Sequence, residues 1–460
     1  MENLFENINK IELISYFSSE IFCILGILIN IVMFLFFSRK YNIKRLSDII
    51  TFGVFAINSL ITFGIYLNGK DTNFGIFNNL FVFNSETFLL KFLTYLFFAL
   101  FVLTMYKTSR KARFKMTIVN SCLLILAPIA TLLLQVENKI LAFLLLDICS
   151  FFIYKYASNI RIKKPDIYCF DFILISAAST VLFYLFFGLT YFIKQELQLA
   201  IIEVCMICAL FLKAGLFPIY NYGISKKAKN SVGYAALLYN FLPFLGVVAF
   251  LKFYQSINFS NEIYFVVIAS FVMLVAFVSA ICAFQVKNLI KFLAYLSYVC
   301  YSFYLIAILF TQDVNLYINK SITFMYALFA LYALVAILKI NFKTEKLNIS
   351  LLSGLFIKNR VFSYIFSIGI LFLVNIIPSI VTLNNFQTAK DIYQLDKAGF
   401  WIICMFAFCA VLILLNALRM IKALYTKNDN NLIKKLTKRT TLNYVVPCVI
   451  FIFLIIKMFL

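Results

Sequence analysis

The sequence predicts an all-α polytopic membrane protein, and three observations predict it. The chain is 64% hydrophobic and only 13% charged over 460 residues, against about 45–50% apolar and about 25% charged in soluble domains. Apolar runs of bilayer length recur from end to end; a hydrocarbon core of about 30 Å takes about 20 helical residues per crossing, so the chain has room for roughly 14 crossings. Basic residues, finally, gather in every second connection.

Apolar windows place the spans at 13–36, 48–67, 87–106, 116–135, 138–156, 168–192, 199–221, 232–251, 262–284, 289–311, 318–339, 361–388, 399–418 and 441–460. SRKYNIKR follows the first span and KTSRKARFK the third, and stretches with two to seven basic residues follow the fifth, seventh, ninth, eleventh and thirteenth. Those seven connections hold 30 of the 41 Lys and Arg; the other connections and the ends hold ten, and Lys213 lies inside a span. Basic loops stay cytoplasmic, so both termini are expected to face away from the cytoplasm. Topology therefore accounts for the net charge of +22, and nucleic acid is not an expected partner. The start, MENLFENINKIE, is acidic and unlike a cleaved signal peptide.

Eleven Cys are scattered through apolar runs and the chain has no His. Free Cys in such runs behaves as a small hydrophobe. Cys205 and Cys208 have redox-motif spacing but lie mid-helix with no second pair, so packing is the expected role. No metal site is expected.

Proline removes a backbone donor and clashes with the preceding turn, and membrane helices tolerate it where neighbours or water satisfy the freed carbonyls. Pro218 lies in FLKAGLFPIYNYG of span seven and Pro378 in LVNIIPSIVTLNN of span twelve. Grouping spans four to eight and nine to thirteen gives two five-helix units, the second necessarily inverted, each with its break on the fourth helix. Interrupted helices in inverted units mark transport sites near the bilayer midplane. The expected organisation is a three-helix segment over 1–115, one repeat over 116–257, its inverted copy over 258–425, and a basic loop with a last helix over 426–460.

Charge within the bilayer is costly and marks ion pathways. Asp147 lies about nine residues, or roughly 14 Å, inside span five, and Lys213 roughly 21 Å inside span seven, at 1.5 Å per residue. A static brace between two helices is the alternative role for such a pair. Glu20 and Glu203 sit one to two turns inside the outer ends of their spans and are expected to reach water. Asp171, at a cytoplasmic edge, is expected to be solvated.

Around these residues the sequence resembles the antiporter-like membrane subunits of respiratory complex I. FLKAGLFPIYNYG reproduces the family's Lys-to-Pro spacing at Lys213 and Pro218. Asn288, Leu293, Ala294, Tyr295 and Ser297 fall near the positions of a second family segment, and Leu418 and Arg419 match a Leu-Arg element. LSGLFIKNR before span twelve and the IPS at its break also fit. The likeness covers most of residues 115–425, and by length it is closest to subunit N of NADH-quinone oxidoreductase.

The resemblance implies a proton-translocating subunit whose charged pair is Asp147 and Lys213. It departs at several positions. Tyr220 and Tyr222 stand where the family has His and Trp, Pro243 or Phe244 replaces the helix-eight Lys, and Ile290–Lys291 replaces a Lys–Arg pair. The residue after the helix-twelve break aligns near Phe386, with Lys390 the nearest basic candidate. By the same resemblance the chain holds no cofactor. Flavin, iron–sulfur clusters and quinone are expected in or at other subunits, and the expected partners are other complex I membrane subunits and the lipid bilayer. The expected location is a bacterial inner membrane, with both termini periplasmic. Ion pair and voltage are of one order: roughly 2.4 kcal/mol for charges about 7 Å apart at an effective dielectric near 20, against roughly 3.5–4.6 kcal/mol for a proton crossing about 150–200 mV. Alternatives at this stage are a multisubunit cation/proton antiporter subunit, a stand-alone solute transporter, and a complex I subunit that has lost pumping.

Overall fold

A computed structural model of the chain describes residues 16–37, 43–68, 74–76, 80–105, 116–159, 168–192, 196–216, 231–256, 262–310, 314–342, 347–373, 396–426 and 445–452. These fall in two compact units, Met1–Arg161 and Ile162–Leu460.

The first unit holds α1 (Ser18–Phe37), α2 (Ile43–Leu67), the strands β1 (Phe74–Ile76) and β2 (Phe81–Phe83), α3 (Ser85–Met105), α4 (Met116–Gln135) and α5 (Lys139–Asn159). α2 packs on α3, α1 on α4, and α4 on α5. The strands pair antiparallel with Phe74 opposite Phe83, and Phe81 also bridges to Val136 beyond α4. Rings of Tyr16, Phe17 and Phe88 gather on Phe83. The hairpin lies in a connection where the apolar windows foresee no element.

The second unit begins with α6 (Tyr168–Leu189) and α7 (Glu196–Ala214). α8 (Val232–Ala236) then runs through a π turn (Leu237–Phe241) into α9 (Leu242–Ser256). α10 (Glu262–Gln285), α11 (Leu289–Phe310) and α12 (Val314–Phe342) follow. A 3₁₀ turn (Ile349–Leu352), the short α13 (Leu355–Lys358), α14 (Arg360–Leu373) and α15 (Asp396–Tyr425) complete it, with residues 445–452 also helical. The π turn has a cause in the sequence. Pro243 lacks an N–H and its ring crowds the carbonyl four residues back, and the ladder widens, with the Leu242 N–H reaching the Leu237 carbonyl.

Among the described residues, 11 helices are long and apolar enough to cross a membrane. A described helix lies at each of the 14 windows, although only residues 445–452 are described in the last. The helices running through 232–253 and 321–340 are buried on all sides, as an all-round apolar helix must be inside a bundle. α1 turns Leu35 and Phe36 outward and α15 turns Trp401 outward, which suits contact with lipid chains. Among the described residues Gly369 lets α14 close on the last helix, since a Cβ there would lie 2.5 Å from the Phe451 ring.

Asparagine starts several helices. The Asn84 Oδ1 accepts from the Thr87 N–H while the Thr87 Oγ1 accepts from the Asn84 N–H. Asn138 Oδ1 accepts the Ile140 N–H at the start of α5. Asn288 and Asn359 do the same for α11 and α14. Each side chain satisfies donors that a helix start leaves orphaned. At the opposite polarity, the Arg419 guanidinium on α15 donates to the carbonyls of Ala283, Phe284 and Val286 at the end of α10.

Candidate ion-transfer site

Lys213 occupies the last turn of α7 and is 1% exposed. Helix α7 stops one residue later. Gly215 takes φ 76°, the Leu216 N–H reaches the Phe211 carbonyl at 2.8 Å, and the Gly215 N–H reaches that of Leu212 at 3.3 Å. This is a left-handed glycine cap. The break expected at Pro218 therefore begins earlier, at Gly215; Pro218 itself lies outside the described residues. A helix C-terminus carries partial negative charge and favours a cation in its last turn, which is where the sequence puts the ammonium.

The ammonium donates to the Ser176 carbonyl at 3.0 Å and to the Thr180 Oγ1 at 2.8 Å. Both lie on α6. The same Ser176 carbonyl also accepts from Ser179 and Thr180 hydroxyls. One turn of α6 thus presents a compact polar face in place of water. The end of α7 is pinned from another side by α9, because Gly246 leaves no room for a Cβ: it would lie 2.1 Å from the Ala214 Cβ.

Asp147 lies on α5 in the first unit, half-buried, with the Ser150 hydroxyl donating to its carbonyl. Asp147 and Lys213 therefore belong to different units. Pro378 and Lys390 lie outside the described residues. So do Tyr220 and Tyr222.

Inside the second unit lies a buried amide. Asn240, fully buried in the π turn, donates to the Met325 carbonyl of α12 at 2.9 Å. The Tyr301 hydroxyl of α11 donates to the Asn240 Oδ1 at 2.8 Å and lies 2.9 Å from its carbonyl. Three helices are tied together without a charge. Tyr301→Phe would leave a buried amide oxygen short of its donor, at about 1–3 kcal/mol. The expected outcome is a lower thermal midpoint of the purified protein in detergent, with the helix content at low temperature unchanged.

Two residues that the spacing arguments set aside prove to be buried partners. Glu20 is expected at water but is 8% exposed, and Lys91, counted among the connection charges, lies inside α3 and is fully buried. The Lys91 Nζ is 2.7 Å from the Glu20 Oε1. A lone Lys four residues into the third window was the available signal; its partner, 71 positions away, was not.

No protein-family model matches the chain, and no curated protein sequence matches it. Its architecture does match solved structures. A chain of the archaeal membrane-bound sulfane sulfur reductase superposes with TM-score 0.78 at 12% identity, over 96% of this chain and 93% of that one. A chain of respiratory complex I from Thermus thermophilus gives TM-score 0.74 at 13% identity, over 94% and 96%. A chain of the Mrp complex from a Dietzia species gives 0.70 at 14% identity, over 92% and 84%. The chain shares the fold of these membrane-complex chains.

The all-α polytopic class is borne out, and the match runs over nearly the whole length. The likeness is to chains of multisubunit respiratory and Mrp complexes. Within that fold the described part of the site is one buried ammonium at a helix break, held by a hydroxyl and a carbonyl.

Proposed function

We propose that this chain is an ion-translocating membrane-arm subunit of a proton-pumping quinone oxidoreductase of the complex I kind, nearest to its subunit N. Lys213 is the switchable proton carrier and Asp147 its charge partner. Lys390 is the candidate exit residue beyond the break at Pro378. Flavin, iron–sulfur clusters and quinone belong to neighbouring subunits, so this chain contributes ion transfer and no redox step. The host membrane is the bacterial inner membrane, both termini are periplasmic, and residues 116–257 and 258–425 form the inverted repeats.

The observation that carries this reading is Lys213 itself. An ammonium with 1% exposure at a break in the helix is expensive in a bilayer and is kept where it moves charge. Its ligands on α6 are neutral, so the charge can be given up without leaving a carboxylate behind at those contacts. Lys213→Ala is expected to remove ion transfer through the second unit while electron transfer continues, measured as protons moved per electron pair in proteoliposomes of the assembled complex. An unchanged ratio rejects the role.

The likeness to an Mrp complex chain favours a second reading, a subunit of a multisubunit cation/proton antiporter. Lys213 would do the same work there. Ion transfer driven by a Na⁺ gradient without electron donor selects that reading, and ion transfer that requires the donor selects the first.

A further inference from the structure

The first unit contains a second set of ionisable groups, buried and far in sequence from Lys213. At one end of its helices, Glu20 and Lys91 form the ion pair described above. The Ser19 hydroxyl donates to the Glu20 Oε2 at 2.7 Å, and the Thr131 hydroxyl approaches the Glu20 Oε1 at 3.4 Å. Lys91 also donates to the Tyr16 carbonyl at 3.3 Å. At the other end, Asp48, only 5% exposed, accepts from the Asn120 amide at 2.7 Å. The same amide reaches the Ser47 hydroxyl at 2.9 Å, and Ser47 donates to Asn30 at 2.8 Å. Consecutive helices run in opposite directions, so early residues of α1 and α3 meet late residues of α2 and α4. Glu20, Lys91, Asn58 and Thr131 therefore share one level, and Asn30, Asp48 and Asn120 share another.

Between the two levels lies a short apolar collar. Phe55 and Phe98 are fully buried with ring centroids 5.4 Å apart. Gly26 lies in the same layer, with space for a Cβ limited by Val54 at 3.0 Å and Leu124 at 3.4 Å. Along α2 the collar fills the stretch from Thr51 to Asn58, about 10 Å at 1.5 Å per residue.

Buried neutral groups at both levels are left without partners, although the charges are satisfied. The Gln135 side chain, one turn beyond Thr131 on the same face of α4, has neither its Nε2 nor its Oε1 bonded, and the Asn58 Oδ1 is likewise unbonded; both residues are fully buried. At the Asp48 end the Thr117 hydroxyl is in the same condition. A static brace has no use for such orphans. Buried polar groups lacking protein partners are where internal water binds, and water beside a carboxylate is what proton exchange needs.

We propose that the first unit carries a proton route of its own, with the Glu20–Lys91 pair and the Asp48–Asn120 cluster as stations on either side of the Phe55–Phe98 collar. This rests on the reading of the chain as an ion-translocating subunit. The transferred species is a proton, because the ammonium 2.7 Å from Glu20 occupies the place a metal cation would take. The steps balance. Protonation of Glu20 leaves Lys91 as an ammonium without its carboxylate; Lys91 then releases one proton toward Asp48; transfer of the proton from Glu20 to Lys91 restores the pair. One proton enters, one leaves, and the collar must open to let water bridge the stations.

The test uses the assembled complex in proteoliposomes, with protons per electron pair as the readout. Glu20→Gln combined with Lys91→Met removes both charges together and leaves none unpaired. Asp48→Asn alters the other station and leaves the pair intact. Both are expected to lower the ratio while electron transfer persists, and each to lower it further in a Lys213→Ala background. A wild-type ratio in either assembled variant overturns the proposal, and Asp48→Asn decides alone if the double variant does not assemble. If Lys213→Ala lowers the ratio and these variants do not, the first-unit route fails and the function assigned to Lys213 stands. If Lys213→Ala leaves it unchanged, the underlying reading fails.

Discussion

Gly246→Val is expected to strip the subunit from the membrane or to leave it there with ion transfer through its second unit lost. The reason is local and steric. A Cβ at 246 would lie 2.1 Å from the Ala214 Cβ and 3.3 Å from the Ala214 Cα. Neither is the end of a flexible chain, so α7 and α9 have to separate. Overpacking of this kind costs about 1–3 kcal/mol, sometimes more, and two further methyl groups enlarge it. Ala214 immediately follows Lys213, so the displacement also pulls the ammonium from Ser176 and Thr180. Gly53 and Gly188 are internal controls, since a Cβ at either meets nothing within 4 Å. Alanine at those positions is expected to be neutral or to stabilise by about 0.5–1 kcal/mol, the helix-interior cost of glycine. Quantifying the subunit in isolated membranes separates Gly246→Val from the two controls.

Lys91→Met alone is expected to destabilise the first unit by about 3–5 kcal/mol, because it leaves Glu20 as a buried carboxylate without its cation. Combined with Glu20→Gln the loss should largely disappear, since replacing a whole buried pair by uncharged groups is often close to neutral. The comparison is made by limited proteolysis of the protein in lipid nanodiscs, following cleavage between residues 1 and 161. Equal protease resistance of the single variant and the wild type would mean that Glu20 finds another donor or is held neutral. The same measurement qualifies the double variant for transport assays.

The spans were legible because two signals of different origin agree. Apolar length sets where a helix can cross, and Lys and Arg placement sets which way it crosses; an error in one would disturb the other. The helix starts at Asn84, Asn138, Asn288 and Asn359 were present in the sequence as caps, but such residues are too common in loops to fix a boundary unaided. The break at Lys213 was legible in kind and displaced in position. Pro218 announces that a helix cannot continue, whereas the cap at Gly215 depends on a left-handed φ that glycine permits and does not require.

The partners of the charged residues were not legible. Ser176, Ser179 and Thr180 sit in SAAST, a run of small residues that reads as close helix packing; only the fold brings the α7 ammonium onto it. Glu20 and Lys91 each look like surface charges near a span end, and their contact depends on α1 and α3 meeting across the unit. Pro243, which the resemblance sets near a helix-eight lysine, was visible, but its consequence was not. The proline opens a π turn, and the turn puts Asn240 within reach of Tyr301 and Met325.

The most direct test of Lys213 as a proton carrier is Lys213→Arg in the assembled complex, with proton release per electron pair followed in proteoliposomes. Arginine keeps a positive charge and donors for Ser176 and Thr180, yet does not give up its proton in proteins. A carrier at 213 predicts an ion-transfer loss as deep as that of Lys213→Ala, in a complex that still assembles and still oxidises its donor. Wild-type proton release from Lys213→Arg would contradict it and leave residue 213 as a fixed charge that holds α7 against α6.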